Sequence, residues 1–269
     1  MERTMSGYAI EGTGLGKSFA VGRREVKAFA GIDLRVGHGE FLAILGASGG
    51  GKTTLLRVLA RLEEHTEGQL VVRATNSGSG RPPSATVFQE PSAFPWMSVR
   101  RNIAYGMWAV GVSRAEQRRE VDRLLEMVGL TAFADAYPHE LSGGMKQRVA
   151  VARALAVGSE ILFMDEPFGL LDEQTRLALQ QDLIRIWEQT RKTIVFVTHS
   201  IQEAIVLADR VLVMSSRPGR IVLSREVPFG RPRNAFDLGR DPAFAELAAD
   251  LHDALVGGGH DNAKQGSDA

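Results

Sequence analysis

Short apolar runs alternate with helical patterns along most of this chain. Phe41-Leu-Ala-Ile-Leu45, Ile161-Leu-Phe-Met164, Thr193-Ile-Val-Phe-Val197 and Val211-Leu-Val-Met214 are almost free of polar residues. Strands covered on both faces read this way. Between them, residues 54–60, 173–189 and 201–208 place apolar side chains at helical spacing. The alternation predicts an α/β core, with a mostly parallel sheet covered by helices. Residues 8–36 are rich in β-branched, aromatic and glycine residues and predict an N-terminal antiparallel β subdomain. From Ser98 to about Val157 the pattern turns helical. Val121, Leu124, Leu125 and Val128 form one stripe against a charged face. This stretch reads as a helical subdomain inserted into the α/β core.

The expected organisation is one domain over residues 6–256. Its catalytic core takes 6–90 and 158–228, with the helical insertion at 91–157 and a C-terminal extension at 229–256. Asn76-Ser-Gly-Ser-Gly-Arg-Pro-Pro marks a surface turn between strands. Residues 242–255 predict a last amphipathic helix, and glycine-rich 257–269 a disordered tail. No internal repeat is visible.

Composition removes several classes of function. The 269 residues hold 32 Lys and Arg against 32 Asp and Glu, so no net field draws in nucleic acid or an anionic bilayer. Cysteine is absent, which excludes disulfides, thiolate catalysis and cysteine-ligated zinc. The six histidines have no His-Glu-x-x-His spacing. No apolar run reaches the roughly 20 residues needed to span a bilayer, and the first residues lack the apolar stretch of a secretory signal. The expected location is the cytosol, with membrane contact only through a partner.

The residues that carry chemistry follow the apolar runs. Gly46-Ala-Ser-Gly-Gly-Gly-Lys52-Thr53 fits Gly-x4-Gly-Lys-Thr. Its glycines let successive amides donate to phosphate oxygens, and the following helix adds the positive end of its dipole. Lys52 supplies a point charge to the outer phosphates, and the Thr53 hydroxyl is placed for magnesium. A glycine-rich turn with a surface lysine is the bland alternative. It fits poorly here, with a buried strand before the loop and a helix after it.

Asp165 ends a buried strand, where a carboxylate is costly unless it meets a cation such as magnesium. Glu166 beside it is a candidate general base for attacking water. Alone, such a pair is equally a helix cap. Leu141-Ser-Gly-Gly opens the helical stretch from Met145. Ser142 is a natural N-cap, and the two glycines let an anion approach the first amides. Two phosphate-binding helix starts with one Gly-Lys-Thr loop suggest that each ATP is shared between two subunits. His199 lies just beyond a strand's C-terminal edge, where ligands bind in open α/β sheets but where a histidine is often structural. Gln89 follows Ala85-Thr-Val-Phe88 and says little by itself.

Taken in order, these motifs resemble the nucleotide-binding subunit of ABC transporters over about residues 8–255. The resemblance implies a P-loop NTPase fold of the ABC ATPase type. It implies that Gly46, Ala47, Ser48, Gly49, Gly50, Gly51, Lys52, Thr53 and Thr54 bind ATP, with Phe19 against adenine, where a core phenylalanine is the alternative. Thr53, Gln89 and Asp165 would hold Mg2+. Leu141, Ser142, Gly143 and Gly144 would form the signature that meets the γ-phosphate of ATP on the opposing subunit. Asp172 would lie in the D-loop beside it. Lys52, Glu166, Gln89 (the Q-loop) and His199 (the switch histidine) would carry catalysis.

A narrower likeness is to nitrate, sulfonate and taurine importer ATPases. It rests on Phe88-Gln-Glu-Pro, Phe94-Pro-Trp-Met-Ser-Val, Asp165-Glu-Pro-Phe-Gly and Val197-Thr-His-Ser-Ile-Gln-Glu-Ala. The implied assembly is a homodimer at the cytoplasmic face of the cell membrane. Two permease subunits and, through them, a periplasmic or lipid-anchored substrate-binding protein complete it. The exposed or buried state of Pro91-Ser-Ala-Phe94-Pro95-Trp96-Met97 separates a permease dock from a core segment. Three positions depart from the family pattern: Arg61 for glycine, Leu170 for alanine, and Ser200 for aspartate. A stand-alone ATPase of the same fold in a cytosolic assembly role is the rival reading.

Overall fold

The computed structural model describes residues 7–22, 24–74, 80–233 and 235–265, with side chains of 235, 236 and 258–265 left aside. In chain order the elements are β1 (Tyr8–Val21), β2 (Arg24–Gly37), β3 (Phe41–Gly46), α1 (Lys52–Leu59), β4 (Glu67–Val72), β5 (Ser84–Val87), α2 (Val99–Ala109), α3 (Arg114–Met127), α4 (Gly143–Ala156), β6 (Ile161–Asp165), α5 (Glu173–Thr190), β7 (Thr193–Thr198), α6 (Ile201–Leu207), β8 (Arg210–Met214), β9 (Ile221–Glu226), α7 (Ala235–Leu238) and α8 (Pro242–Gln265). Two compact units emerge: one from residues up to 73 and from 191 on, the other from 74 to 190.

In the first unit, β2, β1 and β4 make the expected antiparallel sheet. Sequence patterning missed β4's place in it. β3 runs parallel to both β7 and β8, and β9 closes that edge antiparallel to β8. Phe41 to Leu45 are wholly buried, as a strand flanked on both sides and covered on both faces requires. The Phe41 and Phe196 rings meet at 6.0 Å. β9 escaped the sequence reading because its residues are mostly exposed and lack an apolar run.

In the second unit, β5 and β6 pair in parallel, and α2, α3 and α4 form the expected helical part. Val121, Leu124 and Leu125 of α3 and the following Val128 are buried, as their stripe predicts. The expected turn after Asn76 lies partly outside the described residues.

The C-terminal extension is tied to the first unit by two arginines. Arg231 pairs with Asp209 at 2.8 Å and donates to the Leu207 carbonyl at 2.7 Å. Arg233 is buried and donates to the carbonyls of Ile205, Ala208 and Phe229. Desolvation, then the nearby Arg231 charge, lowers its pKa to about 10, so it stays protonated at neutral pH. α8 continues to Gln265, through the glycines that were expected to begin a tail, and residues 266–269 of that expected tail lie outside the described residues. Glycine disfavours helix by only about 1 kcal/mol each, and Ala263, Lys264 and Gln265 are good helix formers.

Arg61 shows why glycine is usual at its position. It follows α1 with φ 57°, in the left-handed region that costs a side-chain-bearing residue about 1–2 kcal/mol. Its amide donates to Val58 O at 3.0 Å, and the Leu62 amide to Arg57 O at 2.8 Å. This pair is the Schellman C-cap. Arg61→Gly is therefore expected to raise the melting temperature by about 2–4 °C. A thermal melt of the purified variant checks this, and a lowered midpoint contradicts it.

Candidate functional site

The sequence-derived site residues fall on both units, and each unit gathers its own set at a sheet edge. In the first unit, Leu45 pairs with Thr198 and Gly46 with Met214. The phosphate loop, His199 and the turn after β8 thus leave from the same carboxyl edge, where α/β sheets bind ligands.

Close packing fixes the loop's composition. A Cβ on Gly46 would lie 2.8 Å from Met214 O, on Gly50 2.9 Å from Ser215 O, and on Gly51 2.5 Å from Ala28 O. Gly49 and Gly51 also have φ of 78° and 87°, which only glycine adopts without strain. The Lys52 side chain is buried and donates from Nζ to Ala47 O at 3.0 Å. The Gly50 amide donates to the same carbonyl at 3.2 Å. The ammonium thus lies over the loop's own backbone. Thr53 and Thr54 occupy the first turn of α1 and are half-buried.

Phe19 is not a core residue. It is 37% exposed on β1, beside an open cleft of about 390 Å³ lined by Ser18, Ala20, Gly22, Arg24 and Glu25. The Lys17 ammonium stands 4.8 Å from its ring centroid, anchored by Glu63 at 2.7 Å.

His199 is exposed immediately beyond β7. Ser200 caps α6 by accepting the Glu203 amide at 3.3 Å. Serine and aspartate cap about equally well, so this departure keeps the helix start that follows the histidine. The buried Thr198 hydroxyl donates to Glu203 at 2.5 Å and accepts from the Ser200 amide at 3.0 Å, fixing the chain on either side of His199.

In the second unit, Val87 pairs with Met164, so Gln89 and the Asp165-Glu166 pair leave the same edge of β5 and β6. Asp165 is 5% exposed. Glu166 has φ 41° although Pro167 follows, and a residue before proline avoids helical conformations. The Gly169 amide holds this conformation by donating to Glu166 O at 3.1 Å. A side chain at Gly169 would come within 3.4 Å of Gln89 Nε2 and 3.8 Å of Glu166 Oε2. The two candidate side chains therefore converge on a spot that glycine leaves open. Backbone strain of this kind clusters at reacting sites.

Leu141-Ser-Gly-Gly opens a capped helix. Ser142 Oγ accepts the Met145 amide at 3.3 Å and starts α4. Its two glycines have different reasons. Gly143 is exposed, with only an ordinary contact to Leu171 at 3.6 Å, whereas a methyl at buried Gly144 would collide with the Thr175 methyl of α5. Gly143 is open to approach, and the missing side chain of Gly144 also lets α4 pack against α5. Asp172 is the N-cap of α5, accepting the Thr175 amide at 3.0 Å. That hydrogen bond, with the Thr175 hydroxyl, holds its carboxyl below the ordinary value. Leu170 beside it is exposed.

The loop after Gln89 is rigid and aromatic. Asn102, wholly buried, accepts the Phe94 amide at 2.7 Å and donates to the carbonyls of Phe94, Met97 and Ser98. Arg153 donates to Ser92 O at 2.6 Å and Ser92 Oγ at 2.7 Å, and lies 5.4 Å from the Phe94 ring. Burial lowers its pKa below the usual arginine value. Phe94 touches Trp96 at 5.6 Å and Tyr105 at 4.7 Å, and Tyr105 touches Trp108 at 5.8 Å. Trp96 and Trp108 are 68% and 66% exposed. Sequence reasoning singled out this loop but missed Asn102, Tyr105, Trp108 and Arg153. The aromatic spacing on α2 was the available signal.

Comparison with known proteins gives the family. The family model described as ABC transporter matches residues 29–169. The chain belongs to the ABC transporter family, as one of its ATP-binding cassette ATPases. It is 42% identical to the nitrate import ATP-binding protein NrtD of Synechocystis, over 92% of this chain and 95% of that one. It is also 42% identical to the taurine import ATP-binding protein TauB of Rhizobium johnstonii, over 86% and 90%. Among solved structures, a dimeric ATP-binding cassette in a post-hydrolysis state with ADP and Pi superposes at TM-score 0.71 and 28% identity, covering 82% of this chain and all of that one. Among the described residues, no helix is long and apolar enough to cross a membrane.

Proposed function

We propose that this chain is the ATP-hydrolysing subunit of an importer for small anions of the nitrate, taurine or sulfonate kind. It works as a homodimer beneath two permease subunits that receive cargo from a substrate-binding protein. The observation that carries the reading is the stapled aromatic surface directly after Gln89. Large exposed aromatic patches on an otherwise ordinary surface mark partner sites, and this one adjoins a residue at the carboxyl edge of β5 and β6.

In this reading the loop amides of 46–53 and the Lys52 ammonium bind the phosphates, and Phe19 stacks on the base. Thr53, Asp165 and Gln89 offer hydroxyl, carboxylate and amide oxygens, the hard donors that suit magnesium. When bound, the ion neutralises phosphate charge. Glu166 takes a proton from the attacking water, whose oxygen bonds to the γ-phosphorus as the bond to ADP breaks. His199 steadies the γ-phosphate. Leu141, Ser142, Gly143, Gly144 and the α4 amides of one copy meet the nucleotide on the other, with Asp172 setting that face.

Trp96→Glu tests the dock. The side chain is exposed, so the variant is expected to melt within about 2 °C of the parent and to bind ATP normally. Co-expressed with its permease, it is expected to leave the membrane fraction and to lose transport. Retained transport contradicts the dock. Phe94→Asp is the less clean variant, since Phe94 packs against Tyr105 and Arg153. Cargo is tested by deletion: growth on nitrate as sole nitrogen source, or on taurine or another sulfonate as sole sulfur source, is expected to fail. Unimpaired growth on all of these contradicts the cargo class.

A further inference from the structure

The turn between β8 and β9 packs directly against the loop of residues 46–53. Arg217, exposed at its tip, donates from Nε to Gly49 O at 2.8 Å. Gly219 is buried beneath the loop, where an added methyl would collide with the Gly50 carbonyl. The same glycine bridges to β2, donating to Ala28 O at 2.9 Å and accepting from the Ala30 amide at 3.1 Å. Ser215 stiffens the turn: its amide donates to Arg220 O at 2.9 Å, and its Oγ accepts the Arg220 amide at 3.1 Å.

We propose that this turn positions the phosphate loop, with Arg217 as the positioning residue and Gly219 as its seat. The loop needs such a brace. Gly49 and Gly51 flank Gly50 with positive φ, and paired glycines leave the intervening peptide planes free to rotate. A peptide's C=O and N–H point in opposite directions. Holding the Gly49 carbonyl on the outer side therefore aims the Gly50 N–H inward. The Gly50 amide does point inward, at Ala47 O, the carbonyl that Lys52 also reaches. An amide already aimed at the anion loses less conformational freedom on binding. The brace acts alike on bound ATP and on the transition state, so its loss raises KM and leaves kcat nearly unchanged. The inference rests on the phosphate-loop reading proposed above.

The test titrates a fluorescent ATP analogue with magnesium into the full-length protein, its Lys52→Ala variant, Arg217→Ala and Arg217→Lys, with steady-state hydrolysis and melts beside each. Arg217→Ala is expected to bind about 3- to 10-fold more weakly, the worth of one hydrogen bond, with KM raised in step and kcat within about twofold. Arg217→Lys, which keeps a cationic donor, is expected to recover most of the affinity. Gly219→Ala is expected to weaken binding at least as much as Arg217→Ala. Unchanged affinity of Arg217→Ala overturns the proposal while Lys52→Ala still loses nucleotide. Failure of lysine to recover affinity, or a fall in kcat with KM unmoved, also overturns it. If Lys52→Ala binds like the parent, the phosphate-loop reading itself fails and the brace falls with it.

Discussion

Lys52→Ala is expected to lower ATP hydrolysis by at least about 100-fold and to weaken ATP binding, while the fold persists. The buried ammonium sits on the loop backbone at Ala47 O, poised to turn toward phosphate oxygens. Its loss removes a fixed charge from the place where negative charge gathers in phosphoryl transfer. Removing one such preorganised donor costs about 10²–10³ in rate. The structural cost is one hydrogen bond, about 1 kcal/mol, so the melting temperature falls by no more than about 4 °C. Phosphate release and a thermal melt of the same sample separate the two effects. A near-parental rate sinks the assignment of the loop, whereas collapse of the fold shows that Lys52 is a structural residue.

The glycine loop before α1, the buried strands and the Ser142-capped helix are legible in the sequence because each is a local arrangement. A glycine-rich turn between an apolar run and a helix needs no distant contact to be recognised, and Ser142 announces its cap within four residues. Other features depend on what a segment meets. That a side chain at Gly144 would meet Thr175 of α5 has no local sign. Asp172 reads as a nucleotide contact, and its visible work is to cap α5. The strained φ of Glu166 and the convergence of Gln89 on Gly169 have no local signature. Neither has the brace from Arg217, which lies far along the chain from Gly49. The exposure of Trp96 is similar: composition favours burial, and only the Asn102 staple reveals a loop built to stand out. Arg61 was legible as a departure, and its meaning came from a backbone angle.

Glu166→Gln is expected to have the other large effect. The amide keeps the shape of the side chain but cannot accept a proton from water, and losing a general base costs about 10²–10⁴ in rate. ATP binding is expected to be near normal, because the phosphate contacts assigned to the loop amides and Lys52 remain. Bound ATP then persists instead of turning over. If one copy's signature helix closes on the other copy's nucleotide, slow hydrolysis must also prolong the pairing. The Arg153 side chain and the aromatic surface lie outside that chemistry and should not alter the outcome.

The central claim is an ATP site shared between two copies, and light scattering of Glu166→Gln with and without ATP tests it most directly. The account predicts one chain mass without nucleotide. With ATP and magnesium it predicts a long-lived species of twice the 29.2 kDa chain mass, abolished by adding Lys52→Ala. A variant that binds ATP and still scatters as a single chain would contradict it.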